Sequence, residues 1–299
     1  MATMNAVRFY GQRDIRLDKI PVPSVKPGFV KIAPKFCGIC GSDLHEYLGG
    51  ANLIPTEGNP HPITGETLPL TLGHEFSGIV EEVGEGVTNI QPGDRVCVQP
   101  TIWDDNCRAC RRGLVNCCDK NGFVGLSGYG GGLSEHVTVP GHCVKKLPDN
   151  IPLEVGALVE PLSVGWHSVD ISPFKEGDST LVLGGGPIGL AVVQALVGRG
   201  CKNIIVSEVS GKRRDFAKQF GANHTIDPST TDLVEEVERL TNGEGVDVGY
   251  DCAGVQVAVD TAFRAIKARG MLVNIAVWEK RAALNMNDLV FRERAYMGV

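Results

Sequence analysis

The stretch Thr180–Gly189, TLVLGGGPIG, decides the fold of the second half of the chain. Its apolar start predicts a buried strand, and apolar residues at helical spacing continue from Ile188 to Val197. The residues between form the pattern G-x-G-x-x-G, with glycines at positions 184, 186 and 189. Between a strand and a helix, this pattern predicts a turn whose backbone closely approaches a bound diphosphate group.

The same alternation of strand and helix continues to the end of the chain. Strands are predicted at Thr180–Leu183, Asn203–Ser207, His224–Ile226, Val246–Tyr250, Gly270–Ile275 and Ala295–Val299. Helices are predicted at Ile188–Val197, Lys212–Phe220, Leu233–Thr241 and Val255–Ile266. Such alternation predicts an α/β domain with a doubly wound parallel sheet. The uncharged stretch Ser179–Gly198 is therefore interpreted as strand, turn and helix rather than as a membrane span, because its glycines and proline would leave backbone groups unbonded in lipid.

The glycine turn and the strand after it predict which dinucleotide is bound. Gly184 permits the tight turn, Gly186 lets the backbone reach the pyrophosphate, and Gly189 lets helix and strand pack closely. Glu208 ends the second predicted strand, where a carboxylate accepts hydrogen bonds from ribose hydroxyls and repels a 2′-phosphate. We therefore expect NAD rather than NADP, the alternative being an exposed strand-end glutamate without such a role.

The first half of the chain has a different pattern. Short β-like runs broken by glycine and proline occur at Phe29–Ile32, Gly78–Val83 and Asp94–Val98, which predicts a compact, mostly-β domain with long loops. A helix is predicted around Leu153–Ser168, in the linker between the two halves.

Composition and charge exclude several classes of function. A chain of 299 residues accommodates two domains, and a net charge of −6 argues against a nucleic-acid partner. The N-terminus has no apolar segment typical of a secretory signal, so the ten cysteines are interpreted as reduced thiols and metal ligands rather than as disulfides. We expect an intracellular, cytoplasmic protein with no membrane partner.

Potential metal ligands come from three separate segments. Cys40, His74, Glu75 and Glu160 offer sulfur, nitrogen and oxygen donors, and three such ligands form an open catalytic zinc site. Taken singly, Cys40 could equally be a buried thiol and His74 a core histidine.

A second group of potential ligands lies in one loop. Asp104, Cys107, Cys110 and Cys118 have the spacing D-x₂-C-x₂-C-x₇-C, which suits a closed structural zinc site. Cys117 or Cys97 could replace the fourth ligand, and the alternative is a loop of free thiols without metal.

Four motifs in this order resemble the medium-chain, zinc-dependent alcohol dehydrogenase superfamily. They are GICGSDLH at 38–45, GHEFSG at 73–78, EPLSVGWH at 160–167 and VLGGGPIGL at 182–190. The resemblance covers essentially the whole chain and is strongest to the butanediol dehydrogenase and polyol (sorbitol, xylitol) dehydrogenase branch. It implies a GroES-like catalytic domain over residues 1–165, followed by a Rossmann NAD-binding domain over residues 166–299.

The resemblance also implies roles for individual residues. Cys40 and His74 would bind the catalytic zinc, with Glu160 as the third ligand and Glu75 as an exchangeable or direct ligand. The structural zinc loop departs from the usual family pattern, which has a cysteine where this chain has Asp104. In the catalytic domain, Ser42 would hydrogen-bond to the substrate hydroxyl, Asp43 would orient His74, and His45 would transfer the proton to solvent. In the NAD-binding domain, the dinucleotide would be flanked by Pro187, Ile188 and Arg213. The nicotinamide would lie beside residues Asn274–Val277.

The implied activity is hydride transfer between NAD and a small secondary alcohol or vicinal diol, of the 2,3-butanediol and acetoin type. The alternatives are a polyol (sorbitol or xylitol) dehydrogenase and a chain that binds NAD with little turnover. A zinc-free quinone reductase of the same superfamily is disfavoured, because such enzymes lack the GHE and EPLSVG motifs.

The end of the chain carries a further expectation. Members of the superfamily continue for several tens of residues beyond the position of Val299 and return to the catalytic domain. We expect this C-terminal return segment to be absent, with weak diol turnover and a tendency to associate as the result. A homodimer or homotetramer is the expected assembly.

Overall fold

The computed structural model describes residues 2–299, which form two compact units. The first unit extends to Glu160 and the second runs from Pro161 to Val299. The predicted domain boundary at residue 165 lies inside a helix that begins just before this division.

The first unit is mostly β and, over its described residues, contains two short helices. Its strands are β1 (Thr3–Gly11), β2 (Asp14–Pro21), β3 (Phe29–Cys37), β4 (Leu70–Thr71), β5 (Phe76–Val83), β6 (Arg95–Val98), β7 (Thr101–Ile102), β8 (Gly122–Phe123), β9 (Val137–Pro140) and β10 (Val144–Lys146). Its helices are α1 (Gly41–Gly49) and α2 (Leu153–Gly156), with 3₁₀ turns at Cys110–Arg112, Val115–Cys117 and Gly141–Cys143.

The largest sheet of this unit has the strand order β10-β6-β5-β3-β9 and is antiparallel. Its buried face carries Val30, Ile32, Phe76 and Val96, which pack into one hydrophobic core. A smaller sheet has the order β2-β1-β4. Helix α1 and the long loops connect the strands of these sheets.

The second unit alternates strands and helices. Its strands are β11 (Ser179–Leu183), β12 (Asn203–Ser207), β13 (His224–Ile226), β14 (Val246–Asp251), β15 (Ile266–Asn274) and β16 (Ala295–Gly298). Its helices are α3 (Val159–Asp170), which starts two residues before the unit, α4 (Pro187–Gly198), α5 (Gly211–Gln219), α6 (Leu233–Leu240), α7 (Gln256–Ala265) and α8 (Met286–Val290).

The six strands of the second unit form one parallel sheet with the order β13-β12-β11-β14-β15-β16. Successive side chains of β11 enter different cores, with Val182 on one face and Leu181 and Leu183 on the other. A parallel sheet covered on both faces has this uninterrupted apolar sequence. The predicted doubly wound parallel sheet is confirmed.

Two predictions about helices have definite outcomes. The helix predicted around Leu153–Ser168 is present with one interruption: a two-residue turn at Ala157 and Leu158 divides it into α2 and α3. The uncharged stretch Ser179–Gly198 does form a strand, a turn and a helix, as predicted. Within residues 2–299, no helix has the length and apolar character needed to cross a membrane.

Candidate functional site

Helix α1 organises the first group of candidate residues. Cys40 caps its N-terminus, and the Asp43 carboxylate accepts a hydrogen bond of 2.9 Å from the backbone N–H of Cys40. This reciprocal cap fixes the first turn, because the donor groups at a helix start have no partner within the helix. Ser42, Asp43 and His45 therefore project from a defined turn beside the Cys40 thiol.

His74 and Glu75 lie just before β5, and both are buried. One ligand atom each from Cys40, His74 and Glu75 lies within 4.8 Å of the others. Gly38 is required for this arrangement, because a Cβ at that position would overlap the Glu75 carboxylate. The structure thus brings together three of the four residues that the sequence predicts as catalytic zinc ligands.

The charges of this group are unbalanced. Burial raises the pKa of the Cys40 thiol to about 11 and raises the pKa of Glu75 and Asp43 above their usual range. His74 Nδ1 and Asp43 Oδ1 lie 3.7 Å apart, and each is buried without a hydrogen-bond partner. Buried carboxylates and an unpaired imidazole nitrogen are costly unless a cation or proton satisfies them.

A divalent zinc ion fits this donor set. Thiolate, imidazole and carboxylate are ordinary zinc ligands, and three of them leave one position open for water or substrate. On the other side of the imidazole, the Ser42 hydroxyl lies 3.4 Å from His74 Nε2. The residues present therefore form a suitable open zinc site with a hydroxyl group at its edge.

Glu160, the fourth predicted ligand, lies outside the three-residue cluster. It is the second residue of α3, and burial together with the carboxylates of Glu75 and Asp43 raises its pKa to about 7. The role of Glu160 as a direct ligand stays a prediction. Because its pKa is raised, its ionisation is expected to contribute to the pH dependence of the stability of the protein.

We expect the stability of the metal-free protein to fall between pH 5.5 and pH 8. A carboxyl with a folded-state pKa of about 7, against a usual 4.5, contributes stability that is complete below pH 4.5 and lost as the pH rises through 7. The contribution of Glu160 is at most about 2 kcal/mol over this range. Melting temperatures at both pH values should differ less in Glu160→Gln than in the unmodified chain. The control is Glu154→Gln on α2, an exposed carboxylate; equal pH dependence in all three proteins would contradict the placement of Glu160.

The second predicted metal group is also assembled. Ligand atoms of Asp104, Cys107, Cys110 and Cys118 lie within 4.8 Å of one another. The sulfur atoms of Cys107 and Cys118 accept hydrogen bonds from backbone N–H groups at 3.4–3.5 Å. The backbone hydrogen bond from Cys110 lowers the pKa of the Cys107 thiol. Of the two alternative ligands, Cys117 is exposed and Cys97 is buried in β6, and neither belongs to this cluster.

Asp104, which replaces the cysteine of the family pattern, makes hydrogen bonds to the backbone of the loop and an ion pair with Lys120. Its Oδ1 atom accepts hydrogen bonds of 2.9 Å from the N–H groups of Asn106 and Cys107, which hold the pKa of the carboxyl well below its usual range. Oδ2 lies 3.7 Å from the ammonium of Lys120. An ionised carboxylate that is already oriented by the backbone can therefore complete a zinc site with three thiolates.

Substitution of Cys110 by serine is expected to lower the bound zinc from two ions per chain to one and to lower the melting temperature. A closed four-ligand site contributes directly to folding, and a hydroxyl is a poor replacement for a thiolate. The matched control is Cys117→Ser, which changes an exposed thiol in the same loop and should leave both ions bound. Elemental analysis of the dialysed proteins measures this. Two ions in Cys110→Ser would show that Cys110 does not bind zinc, and one ion in the unmodified chain would show that the loop holds no metal.

The dinucleotide turn has the geometry that its sequence predicts. Gly184 has a φ of 93°, which a side chain would disfavour, and Gly186 caps α4 with Pro187 in the first turn. A Cβ at Gly189 would overlap the carbonyl oxygen of Gly184. No side chain of the described residues caps α4, so its first N–H groups and its positive dipole end are available to an anion.

Glu208 follows β12 and is buried, but its carboxylate points at the glycine turn. Oε2 accepts a hydrogen bond of 2.7 Å from Gly185 N–H, and Oε1 accepts one of 2.8 Å from Ser210 N–H. The guanidinium of Arg213 lies 3.8 Å from Oε2 and is more than half exposed. The glutamate thus shapes the turn as well as placing a negative charge beside it.

A cleft of about 520 Å³ lies at the carboxyl ends of the parallel strands. Gly184, Gly186, Glu208 and Arg213 line it, whereas Pro187, Ile188 and Gly189 form the first turn of α4 behind it. Its volume and the free helix N-terminus fit the adenosine diphosphate part of a dinucleotide.

Sequence reasoning missed the opposite wall of this cleft. Asp251 ends β14, and its Oδ1 accepts hydrogen bonds of 3.0 Å from the N–H groups of Ala253 and Gly254. These bonds fix the turn that lines the cleft through Cys252, Ala253 and Val255. An aspartate at a strand end with glycine three positions later is a turn signal, and it could have indicated this wall. The predicted nicotinamide segment 274–277 lies over the same turn, with the Ala276 Cβ close to Gly254.

Comparisons with known proteins agree with both halves of this description. Residues 26–149 match the family described as alcohol dehydrogenase GroES-like domain, and residues 187–299 match the family described as zinc-binding dehydrogenase. These matches confirm the two fold types implied by the sequence motifs.

Similar individual proteins cover nearly the whole chain. An (R,R)-butanediol dehydrogenase from Neisseria gonorrhoeae is 46% identical over 291 residues, which are 97% of this chain and 82% of that protein. The crystal structure of 2R,3R-butanediol dehydrogenase from Bacillus subtilis superposes with a TM-score of 0.92 at 46% identity, over 99% of this chain and 84% of that chain. A probable D-xylulose reductase A from Aspergillus fumigatus is 35% identical, over 88% of this chain and 72% of that protein.

Proposed function

Because this chain belongs to the medium-chain, zinc-dependent alcohol dehydrogenase superfamily, we propose that it oxidises small vicinal diols of the 2,3-butanediol type and reduces the corresponding hydroxyketones. The chain is an NAD-linked oxidoreductase with zinc as its metal. The diol is favoured over a polyol because relatives named for butanediol are 41–46% identical, whereas relatives named for xylulose are 34–35% identical.

The observation that carries the proposal is the cluster of Cys40, His74 and Glu75. Three protein ligands leave a fourth coordination position on zinc for the substrate. Zinc bound there would act as a Lewis acid that lowers the pKa of a substrate hydroxyl. Ser42 lies at the edge of the cluster and relays the proton in this proposal: its hydroxyl accepts the substrate proton while its own hydroxyl proton passes to His45. His45 lies three residues further on the same helix, where i,i+3 neighbours face each other, and passes the proton to solvent.

Asp43 supports this proton path by holding its neighbours. Its carboxylate caps Cys40 and faces His74 Nδ1, which keeps Nε2 directed towards Ser42. In the second unit, NAD would supply the hydride acceptor, and its pyrophosphate is assigned to the start of α4. Glu208 excludes a 2′-phosphate by its charge and holds the glycine turn by its hydrogen bond to Gly185.

We also assign the chain to a reducing compartment, the cytoplasm, and to a homodimer or homotetramer. The ten cysteines of the described chain are all free thiols, as expected where disulfides do not form. Helix α8 exposes Met286 and Val290, followed by Phe291 with 79% of its surface exposed, and such an apolar face supports association. Sedimentation at several concentrations tests the assembly; a monomer throughout would contradict it.

Initial rates with NAD and four substrates test the proposed activity. We expect the largest kcat/KM with (R,R)-2,3-butanediol, a smaller value with meso-2,3-butanediol, and much smaller values with sorbitol and xylitol. A higher kcat/KM for either polyol would move the chain to the polyol branch. No NADH formation with any of the four, in protein that contains zinc, would leave the proposal wrong.

A further inference from the structure

Glu46 is a buried carboxylate on α1 for which the sequence predicts no role. None of its surface is exposed to solvent. Its two oxygen atoms accept three backbone hydrogen bonds, from Asn52 N–H and Leu53 N–H at 2.8 Å and from Ile54 N–H at 3.3 Å. A fully buried carboxylate is expensive, so three converging N–H donors indicate a site built around this side chain.

These hydrogen bonds fold the chain back onto α1 at the point where the helix ends. Gly50, with a φ of 94°, makes the turn, and its N–H bonds to the Glu46 carbonyl at 2.9 Å. Residues 50–54, the wall segment, are then held by the Glu46 side chain rather than by pairing with a strand. Ile54 anchors the end of the wall segment in a small core that includes Phe9 and Leu70.

The loop that follows is fixed by a second set of contacts. The Thr64 hydroxyl donates a hydrogen bond of 2.6 Å to the Ser127 carbonyl, and the Glu66 carboxylate accepts one of 2.8 Å from Tyr129 N–H. His61 is buried against Gly122, where a Cβ would collide with its ring. The loop between α1 and β4 is therefore held by hydrogen bonds near both of its ends. We interpret it as a fixed surface rather than as a mobile lid.

Helix α1 connects the candidate site to the wall segment. Glu46 is four residues after Ser42, so the two side chains share a helix face about one turn, about 5.4 Å, apart. A four-carbon diol with one hydroxyl at Ser42 has a comparable length. A substrate whose carbon chain runs along α1 from Ser42 reaches the part of the helix from which Glu46 holds the wall segment.

We propose that Glu46 is a positioning residue that holds the wall segment as the surface against which the carbon chain of the substrate packs. This inference rests on the proposed diol activity. Glu46 itself does not touch the reacting atoms and acts through the backbone of residues 52–54. It limits the length of substrate that the site accepts.

Hydrogen exchange gives a test that does not depend on activity. In Glu46→Gln the side-chain amide keeps one acceptor and presents an N–H group to backbone donors, so exchange of the amides of residues 52–54 is expected to be about tenfold faster or more. The matched control is Glu57→Gln, an exposed carboxylate in the same loop, which should leave that exchange unchanged. Unchanged exchange in Glu46→Gln would overturn the proposal.

Kinetics then separate positioning from a purely structural role. For Glu46→Gln we expect KM for 2,3-butanediol to rise about tenfold with kcat within about threefold, because uniform binding is lost rather than transition-state stabilisation. The preference for 2,3-butanediol over 2,3-hexanediol should narrow by a similar factor. A fall in kcat alone, or an unchanged chain-length preference, would contradict the specificity role.

Two further comparisons keep the result unambiguous. If Glu46→Gln does not fold, Glu46→Asp retains the charge with a shorter reach and is expected to show faster exchange at residues 52–54; full protection in Glu46→Asp would overturn the proposal. If the unmodified chain oxidises no diol, the proposed function fails, whereas the exchange measurement still decides whether Glu46 holds the wall segment.

Discussion

Replacement of His74 by alanine is expected to lower kcat/KM for diol oxidation by about a thousandfold or more, with the Kd for NADH changed by less than about twofold. His74 supplies the only imidazole in the three-residue cluster, and loss of a zinc ligand removes a stabilisation of several kcal/mol, where about 1.4 kcal/mol corresponds to a tenfold rate change. NADH fluorescence titration measures the second quantity independently, because the dinucleotide turn belongs to the other unit.

The control for this substitution is His136→Ala. His136 is partly buried and pairs with Glu81 at 2.7 Å, away from the metal cluster, so its loss tests for general effects of removing a histidine. We expect nearly full activity in that variant. A His74→Ala protein with the activity of the unmodified chain would rule out the zinc site described here, and weakened NADH binding would show that the substitution acts through misfolding.

Replacement of Glu208 by serine is expected to reduce the preference for NAD over NADP by about a hundredfold or more. The like-charge contact with a 2′-phosphate disappears, and a close buried contact of that kind costs several kcal/mol. Arg213 and Lys212 are then available to pair with the phosphate. NAD itself should bind more weakly, because Gly185 N–H loses its acceptor and the turn is less well fixed.

Both cofactors must therefore be measured in the serine variant and in a control. Asp215→Ser changes an exposed carboxylate on α5, the helix that carries Arg213, and should leave the NAD preference intact. If the unmodified chain uses NADP as well as NAD, or if Glu208→Ser changes neither kcat/KM, the assignment of Glu208 is wrong.

The parts of the fold that could be predicted are those fixed by local sequence. The strands Asn203–Ser207 and His224–Ile226 have the bounds predicted from the sequence. In the first of them, an apolar run between polar residues fits a buried parallel strand. The glycine turn was predictable because glycine is favoured at residue 184, where φ is positive, and is needed at residue 189, where a Cβ would overlap the carbonyl oxygen of Gly184. The break at Ala157 and Leu158 lies between Gly156 and Pro161, two residue types that disfavour a continuous helix.

The candidate site divides in the same way. Cys40, His74 and Glu75 were identified from residue types and motifs, and the folded chain brings their ligand atoms together. The role of Glu160 as a further ligand stays a prediction. Glu46 and Asp251 were missed because each acts on backbone N–H groups that are brought to it by the turn after its own element. Every residue except proline has a backbone N–H group, so the sequence does not show which residues such a carboxylate will bind.

Titration of zinc into metal-free Cys110→Ser protein tests the central claim most directly. The described residues form two candidate metal sites, and this variant disables the one in the loop. The remaining site is the cluster of Cys40, His74 and Glu75. We predict no NADH formation from (R,R)-2,3-butanediol and NAD before zinc is added, and a rate that rises in proportion to zinc and stops at one ion per chain. NADH formation at full rate in the metal-free protein, or a rate that does not respond to zinc, would contradict the account.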